Sequence, residues 1–529
     1  MSPRPGFSLE VDRSTPPTLM WHGDGFRLEK LPVGSRVLYP PEPLDPTKDV
    51  DGAIEFALTH PVGDSEPLDA LLSPDMKLVI AFDDVSLPLP QMKAPDIRQR
   101  IIETILEHAA SVGVEDVTLI AALALHRRMT ETELRHAVGS RVYDSFHPRG
   151  RLLQHDAEDE ANMVHLGLTE HGEDVELNRH AVEADLLVYV NINLVSMDGG
   201  HKSVATGLAS YRSIKHHHNV ATMVHSRSFM DMHNSELHTS NWRMGRFIKD
   251  AGVKIFQIET TLNTNTFPDS FSFLATREWE WTLRERASYL GAKKSLDLAP
   301  PWLAREIMHK VRSPYQLTGV HAGEVEEVHK KTLQNVFRQQ LVHVEGQSDI
   351  LTMGLPFIGP YNVNSIMNPI LVYCLGLGYL FNMYLKKPLV RQGGVVIMSH
   401  PNRPEFDSSF HPSYIDFYDQ VLTETTDPRI IESKYEESFA RDPWYIHLYR
   451  NANAYHGVHP FYMWYWGAHA LEHLGGVIIV GGDPGATRRL GFQPASTMTD
   501  AIEMATSIVG RDPSLIHLHT PPLLMAEVN

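Results

Sequence analysis

Residues 185–219 read DLLVYVNINLVSMDGGHKSVATGLASYRSIKHHHN, and the order of residue types in this stretch sets the fold class. Asp185–Val190 is a short apolar run with β-branched side chains, the composition of a strand buried on both faces. Gly199 and Gly200 permit a tight turn and a close backbone approach to a ligand. From Lys202 onward the chain can start a helix whose free N–H groups would suit a phosphate. A strand, a glycine turn and a helix together make the repeating unit of a parallel α/β sheet. This is not a Walker A loop, because the first glycine of G-x-x-x-x-G-K-[ST] is absent and His201 intervenes.

The same kind of apolar run recurs at Lys77–Phe82, Val117–Ala122, Val253–Ile258, Ile350–Leu355, Gly394–Ser399, Gly476–Gly481 and Ser514–Leu518. Helix-period segments separate many of them: Ile97–Val112 sets Ile101, Ile105 and His108 or Ala109 on one face, and Thr499–Val509 follows the same logic. Strands alternating with helices predict an α/β fold with largely parallel sheets covered on both faces. The 529 residues exceed one ordinary core at about 150 residues per domain. Arg277–His343 is charged and helix-rich, without a convincing strand, and is interrupted at Pro300–Pro301 and Gly319–Gly323. The reading is therefore two α/β domains, residues 1–270 and 345–529, joined by a helical segment, 271–344. The first 50 residues, rich in Pro, Gly and Asp, are expected to form an irregular or hairpin-forming lead-in.

Composition limits the partners. The chain is 42% hydrophobic and 21% charged, with a net charge of -18, which argues against a nucleic-acid or anionic-membrane partner. The single cysteine, Cys374, rules out an internal disulfide and a Cys-based zinc cluster, and is expected as a buried thiol. Met1–Thr15 has no apolar core of a secretory signal. Pro369–Leu385 (PILVYCLGLGYLFNMYL) is interrupted by Gly376, Gly378 and Asn382 and is shorter than the roughly 20 apolar residues of a span. It is read as a buried helix, and the chain as cytoplasmic.

The 30 histidines cluster twice. His201, His216, His217, His218, His225, His233 and His238 form one group, and His447, His456, His459, His469 and His473 the other. Histidine binds metals and moves protons near neutral pH. His469-Ala470-Leu471-Glu472-His473 satisfies H-x-x-E-H, the inverted zinc-peptidase pattern, which would make His469, Glu472 and His473 a metal-hydrolase site if a distant third ligand joined them. Phe461–Trp466 (FYMWYW) either lines a pocket or packs a core. Residues 198–219 by themselves allow two readings. Lys202 can serve a ligand as a charge or nucleophile beside the glycine turn, or the turn merely caps a helix ahead of a solvated basic stretch.

Gly199-Gly200-His201-Lys202-Ser203, continuing through Gly207, Ser210, Ile214 and His218, resembles the signature G-G-x-K-[AS]-x-x-x-G-(I/L)…I…H of the nickel-pincer lactate racemase family. The resemblance implies that Lys202 anchors a covalently tethered, nicotinate-derived pincer nucleotide. Gly199, Gly200 and Ser86 would lie about that cofactor. His218, sixteen residues after the lysine, would ligate its nickel, with His216 and His217 as competitors. Leu123–Gly139 resembles the family's turn that presents a catalytic histidine, here His126, and Thr130 with Glu133 forms a capping box for the helix that follows. Asp83–Pro90 (DDVSLPLP) resembles the loop D-x-T-R-P-x-P, with Asp84 and Ser86 retained. Thr487–Ala505 resembles the segment before the family's last strand. The implied activity is racemisation or epimerisation of a small 2-hydroxy acid or sugar acid by reversible hydride transfer, with cofactor-biosynthesis proteins as partners.

Three departures stand out. Leu87 occupies the arginine position of the loop, and Ile192 the position of a second catalytic histidine. The family's later Gln and Lys give way to Asn362, Asn364 and Asn368, residues suited to bonding hydroxyls or amides. These changes point to a larger, hydroxyl-rich substrate, or alternatively to a binding or sensor protein without turnover. Arg127, Arg128 and Arg212 are the candidates for holding a carboxylate. A continuous helix from Lys202 would carry His218 roughly 24 Å away at ~1.5 Å per residue, so the chain is expected to fold back between Gly207 and Ser213.

Overall fold

All eight apolar runs form strands in the computed structural model, which describes residues 3–87 and 90–529. Pro88 and Leu89 of the 83–90 loop lie outside the described residues. The first sheet has six strands, in the order Leu317–Gly323, Ile255–Leu262, Leu186–Asn193, Lys77–Asp83, Asp116–Ala122, Leu152–Gln154. Five run parallel, and the edge strand Leu317–Gly323 is antiparallel to its neighbour. Both faces are covered. Leu78, Ile80 and Phe82 pack into the main core, while Val79 and Ala81 of the same strand pack into a separate cluster on the other face. This is why the strands read as continuous apolar runs rather than alternating ones.

From Lys77–Asp83 the chain builds outward on one side through Asp116–Ala122 and Leu152–Gln154. It then returns to place Leu186–Asn193 against the opposite edge of the starting strand. The order reverses between Lys77–Asp83 and Leu186–Asn193. A crevice at the carboxyl ends of two such strands is the usual ligand position in an open α/β sheet.

The second sheet has nine strands. Its parallel centre is Arg36–Tyr39, Leu515–Leu518, Ser348–Pro356, Val390–Ser399, Gly476–Val480 and Gln493–Ala495. Residues 7–39, expected as an irregular or hairpin lead-in, join this sheet. Phe7–Glu10 adds an antiparallel edge, and the hairpin Thr18–Gly23/Gly25–Glu29 pairs with the end of Ser348–Pro356. The segment expected to lack strands contributes Leu317–Gly323 to the first sheet and Leu341–Val344 to a small third sheet, between the helices Leu283–Leu298, Pro301–His309 and Val325–Gln340. The Leu317–Gly323 strand is an edge with two glycines and a half-buried pattern, so it carries no apolar run to reveal it.

Ile97–Val112 is a helix capped by Asp96 and closed by left-handed Gly113. Ile101, Ile105 and Ala109 face the core, while His108 turns outward to Asp69 and Glu55. Pro369–Leu385 is buried as expected, though as a broken helix, Pro369–Tyr373 followed by a π-helical turn Cys374–Tyr379 and a short 3₁₀ turn. Among the described residues no helix is long and apolar enough to cross a membrane.

Candidate active site

The crevice at the strand-order reversal holds a cavity of about 110 Å³ lined by Asp84, Ser86, Leu87, His126, Ile192, Gly199 and Lys202, among others. Five sequence-predicted site residues, Asp84, Ser86, His126, Gly199 and Lys202, from three separate segments, therefore meet in one place. Asp83 bridges the two central strands, accepting from the Ile192 N–H at 2.7 Å and the Tyr189 hydroxyl at 3.2 Å. Burial pushes Asp83 up to about 7 against the Ile192 N–H, which lowers it.

Asp84 fixes the histidine. Its Oδ1 accepts from the Ser86 N–H at 2.8 Å, and its Oδ2 lies 2.9 Å from His126 Nδ1 and 3.1 Å from Ser86 Oγ. Burial alone would raise this carboxyl, but the His126 charge and hydrogen bond, helped by Ser86, hold it below the ordinary carboxylate range. An ionised carboxylate only accepts, so His126 donates through Nδ1 and presents Nε2 as its basic nitrogen. His126 follows a tight turn in which Ala124 has φ 50, and the Ala124 N–H donates to the Gly207 carbonyl at 3.0 Å. The predicted capping box of Thr130 and Glu133 follows it.

Gly199 and Gly200 have φ 86 and 59, where only glycine is unstrained. A Cβ on Gly199 would overlap Asn193 and the Glu259 carboxylate, and one on Gly200 would press on the His329 ring. The Gly200 N–H is taken by buried Glu259 at 2.6 Å. Glu259 also holds His329 Nδ1 at 3.2 Å. The helix after the turn, Lys202–Gly207, has only six residues. Lys202 Nζ makes one 3.3 Å hydrogen bond, to the Met197 carbonyl, and lies 3.9 Å from Asp198. It also borders a second cavity of about 440 Å³, lined in part by His201, His233, His238 and His329.

The chain folds back after Gly207 as expected, and a short helix capped by Ser210 follows. His218 does not line the smaller cavity. It is buried with its Nδ1 2.7 Å from His217 Nδ1, and Tyr462 and Trp466 lie with ring centroids 5.3 Å away. Burial, then the charges of His217, Lys202 and His126, push it well below its ordinary value. Two members of the aromatic run Phe461–Trp466 thus face the predicted nickel ligand.

The arginine candidates are corrected. Arg127 is buried and bonded to both Glu133 oxygens, at 2.6 and 2.9 Å, and to the Val363 carbonyl at 3.1 Å. Arg212 pairs with Asp174 at the surface, and Arg128 reaches the Arg450 carbonyl at 3.4 Å. None lines the smaller cavity. The asparagines are largely engaged: Asn362 closes its own loop onto Gly359 and Phe357, Asn364 donates to Glu133, and Asn368 caps the helix Pro369–Tyr373 through Oδ1 while its buried Nδ2 has no partner. In the H-x-x-E-H segment, His469 meets Tyr384, His473 the Val390 carbonyl, and Glu472 pairs with Arg429. Among the described residues no group of three or more His, Cys, Asp or Glu side chains converges as a metal site.

One group absent from the sequence reading of this site stands beside His126. His459, from the start of the helix His459–Tyr465, has its ring centroid 5.4 Å from that of His126, at an interplanar angle of 82°. It lies 333 residues later in the chain, and its only sequence signal was membership of the second histidine cluster.

Residues 25–231 match the family described as the lactate racemase N-terminal domain. The lactate racemases of Lactiplantibacillus plantarum and Thermoanaerobacterium thermosaccharolyticum are 28% and 27% identical over 169 residues, 31% of this chain. That alignment spans 37% of the length of each of these relatives. The solved lactate racemase apoprotein from T. thermosaccharolyticum shares the fold at a TM-score of 0.62 and 17% identity, covering 96% of this chain and 99% of its own. A Thermotoga maritima protein gives 0.50 and 12%, covering 91% of this chain and 97% of its own. Residues 25–231 thus match a lactate racemase N-terminal domain, and the chain as a whole shares the fold of the solved lactate racemase apoprotein.

Proposed function

We propose that this protein racemises or epimerises a 2-hydroxy acid or sugar acid, using a nickel pincer nucleotide tethered to Lys202. The observation that carries the reading is the single cavity at the strand-order reversal, where the Asp84–His126 pair faces Lys202 and the glycine turn. The residues fit such a group. Lys202 has little to bind within the protein, cavities lie on both sides of it, and the positive-φ glycines keep the adjoining wall free of side chains. No trio of protein ligands converges among the described residues, so a metal here must bring most of its donors with it, as a pincer does. His218 supplies the protein donor. If its Nδ1 donates to His217, its Nε2 lone pair is free for the metal, the usual arrangement of a ligating histidine.

When bound, the pincer nucleotide supplies reversible hydride acceptance. The protein's part is proton transfer and positioning. His126 Nε2 removes the substrate hydroxyl proton, the Asp84 carboxylate steadies the imidazolium that results, and half-buried Leu87 and buried Ile192 restrict water. Leu87 brings no charge to the family arginine position, and Arg127 and Arg212 are engaged elsewhere. A substrate held mainly through hydroxyl groups therefore suits the cavity better than lactate.

The test is turnover of protein produced alongside the cofactor-building enzymes, on each stereoisomer of lactate, malate, glycerate and gluconate. Interconversion of at least one pair is expected. A second reading, a binding or sensor protein, is favoured by Leu87 and Ile192. Binding of these acids without any interconversion would establish it in place of the first.

A further inference from the structure

Inversion at a carbinol carbon needs proton transfer at the substrate oxygen twice, once in each sense, and Ile192 removes the family's second histidine. We propose that His459 is the second proton-transfer residue, working across the substrate oxygen from His126. The inference rests on the racemase reading above.

The two imidazoles are brought together by backbone. The His456 N–H donates to the Leu125 carbonyl at 3.2 Å, and the Tyr449 hydroxyl to the Ala124 carbonyl at 3.0 Å. The turn that delivers His459 is thus fastened to the turn that delivers His126. The His459 N–H in turn donates to the His456 carbonyl at 2.9 Å. Perpendicular rings with centroids 5.4 Å apart set the His459 imidazole directly beside that of His126, behind the residues that line the cavity.

The chemistry of His459 matches the role. Its Nδ1 lies 2.6 Å from the Tyr414 hydroxyl, while its Nε2 is buried without a hydrogen-bond partner. Tyr361 and Tyr455 pack on the ring at 4.8 and 4.4 Å, and the side chain is 2% exposed. An unpartnered buried polar atom costs stability, and this one, shared in kind by several other buried histidines, belongs to the imidazole beside the proposed base. With Tyr414 accepting from Nδ1–H, the Nε2 lone pair is free to take a proton, and the imidazolium so formed can return it. His126 pairs with a carboxylate and His459 with a neutral phenol, so the two differ as acid and base.

The protons balance. In one direction His126 would take the hydroxyl proton, while the cofactor, held by Lys202 and His218, would supply hydride acceptance, and the substrate would pass to its 2-oxo form. On return to the hydroxy acid, His459 would give its proton to the same oxygen. The substrate is isomerised, no oxidant is consumed, and one proton has passed from His459 to His126. Turnover from the other stereoisomer runs the transfer in reverse, and exchange with water resets the pair.

The experiment uses cofactor-loaded wild type, His459→Gln, His126→Gln and Tyr414→Phe, with the panel acid of highest turnover. Steady-state turnover should fall roughly 10²–10⁴-fold in each histidine variant, the usual contribution of such a group, with nickel and the Lys202 adduct at wild-type levels. Single-turnover formation of the 2-oxo acid should survive in His459→Gln from one stereoisomer and be lost from the other. His126→Gln should show the opposite choice. Tyr414→Phe should show the His459 asymmetry in weaker form, which checks the role in a variant that keeps the imidazole. Full turnover in His459→Gln, or equal loss from both stereoisomers with nickel retained, would overturn the inference and leave the racemase reading standing. A wild type inert on the whole panel would refute that reading and this inference with it.

Discussion

Replacing Arg127 by methionine removes a guanidinium that is 2% exposed, from a carboxylate that is 3% exposed. Arg127 bonds both Glu133 oxygens, the carbonyls of Val363 and Arg128, and stacks over Phe410 at 4.3 Å. The variant leaves Glu133 buried with only the Thr130 N–H and Asn364, each at 2.8 Å. Breaking one side of a buried pair costs about 3–5 kcal/mol. With a urea dependence of about 3 kcal/mol per M, the midpoint should fall by roughly 1–2 M, read by tryptophan fluorescence and far-UV circular dichroism. Burial opposes the Glu133 charge, and Arg127 holds its pKa below the ordinary range. The wild-type contribution is therefore full above the unfolded value of about 4.3 and is lost as pH falls through the lower folded value. The deficit of the variant should be largest near neutral pH and shrink in acid. Adding Glu133→Leu should recover part of the loss. KM for the substrate should stay within about twofold, because Arg127 lies outside the cavity lining. Wild-type stability together with a hundredfold rise in KM would refute the reasoning and return Arg127 to the role of carboxylate holder.

Three further outcomes follow from the same geometry. His126→Ala should lower turnover roughly 10²–10⁴-fold with nickel content unchanged, and a fully active variant would remove the proton-transfer assignment. Asp83 is raised to about 7 in the folded protein, so the folded state keeps a proton that the unfolded chain releases near pH 4. Stability should decline as pH rises from about 4 to about 7 and then level off, and Asp83→Asn should flatten that decline in urea midpoints; an unchanged slope contradicts the assignment. Lactate should be a poor substrate beside polyhydroxylated acids, and brisk lactate racemisation by the pure protein would show that Leu87 was given too much weight.

The parallel strands were legible because burial on both faces forces uninterrupted β-branched runs such as Lys77–Phe82, and a strand of that kind needs no partner to be recognised. Edge strands lack that pressure. Leu317–Gly323, with two glycines and one covered side, has no periodic signal. Residues 7–39 have the composition of turns and short strands, but their pairing with a sheet more than 300 residues away is set by tertiary contact. At the site, the Gly-Gly-x-Lys turn and the His126 turn were readable because each is local. The engagement of Arg127 was half legible: the Thr130–Glu133 capping box was seen, but not that the same glutamate also receives the arginine. His459 was named only as one of a cluster, since nothing in a linear sequence joins the turn at 456–459 to the turn at 124–126. That Glu259, 59 residues beyond Gly200, takes the Gly200 N–H is likewise set by tertiary contact.

Peptide mapping of protein produced alongside the cofactor-building enzymes, with nickel measured on the same sample, tests the central claim most directly. Lys202 is the cavity-lining lysine, and an adduct of nucleotide size is predicted on it. Lys202→Ala should lose both the adduct and the nickel, whereas His218→Ala should keep the adduct and lose most of the metal. An unmodified Lys202 in fully active protein would contradict the pincer assignment and leave only the family fold.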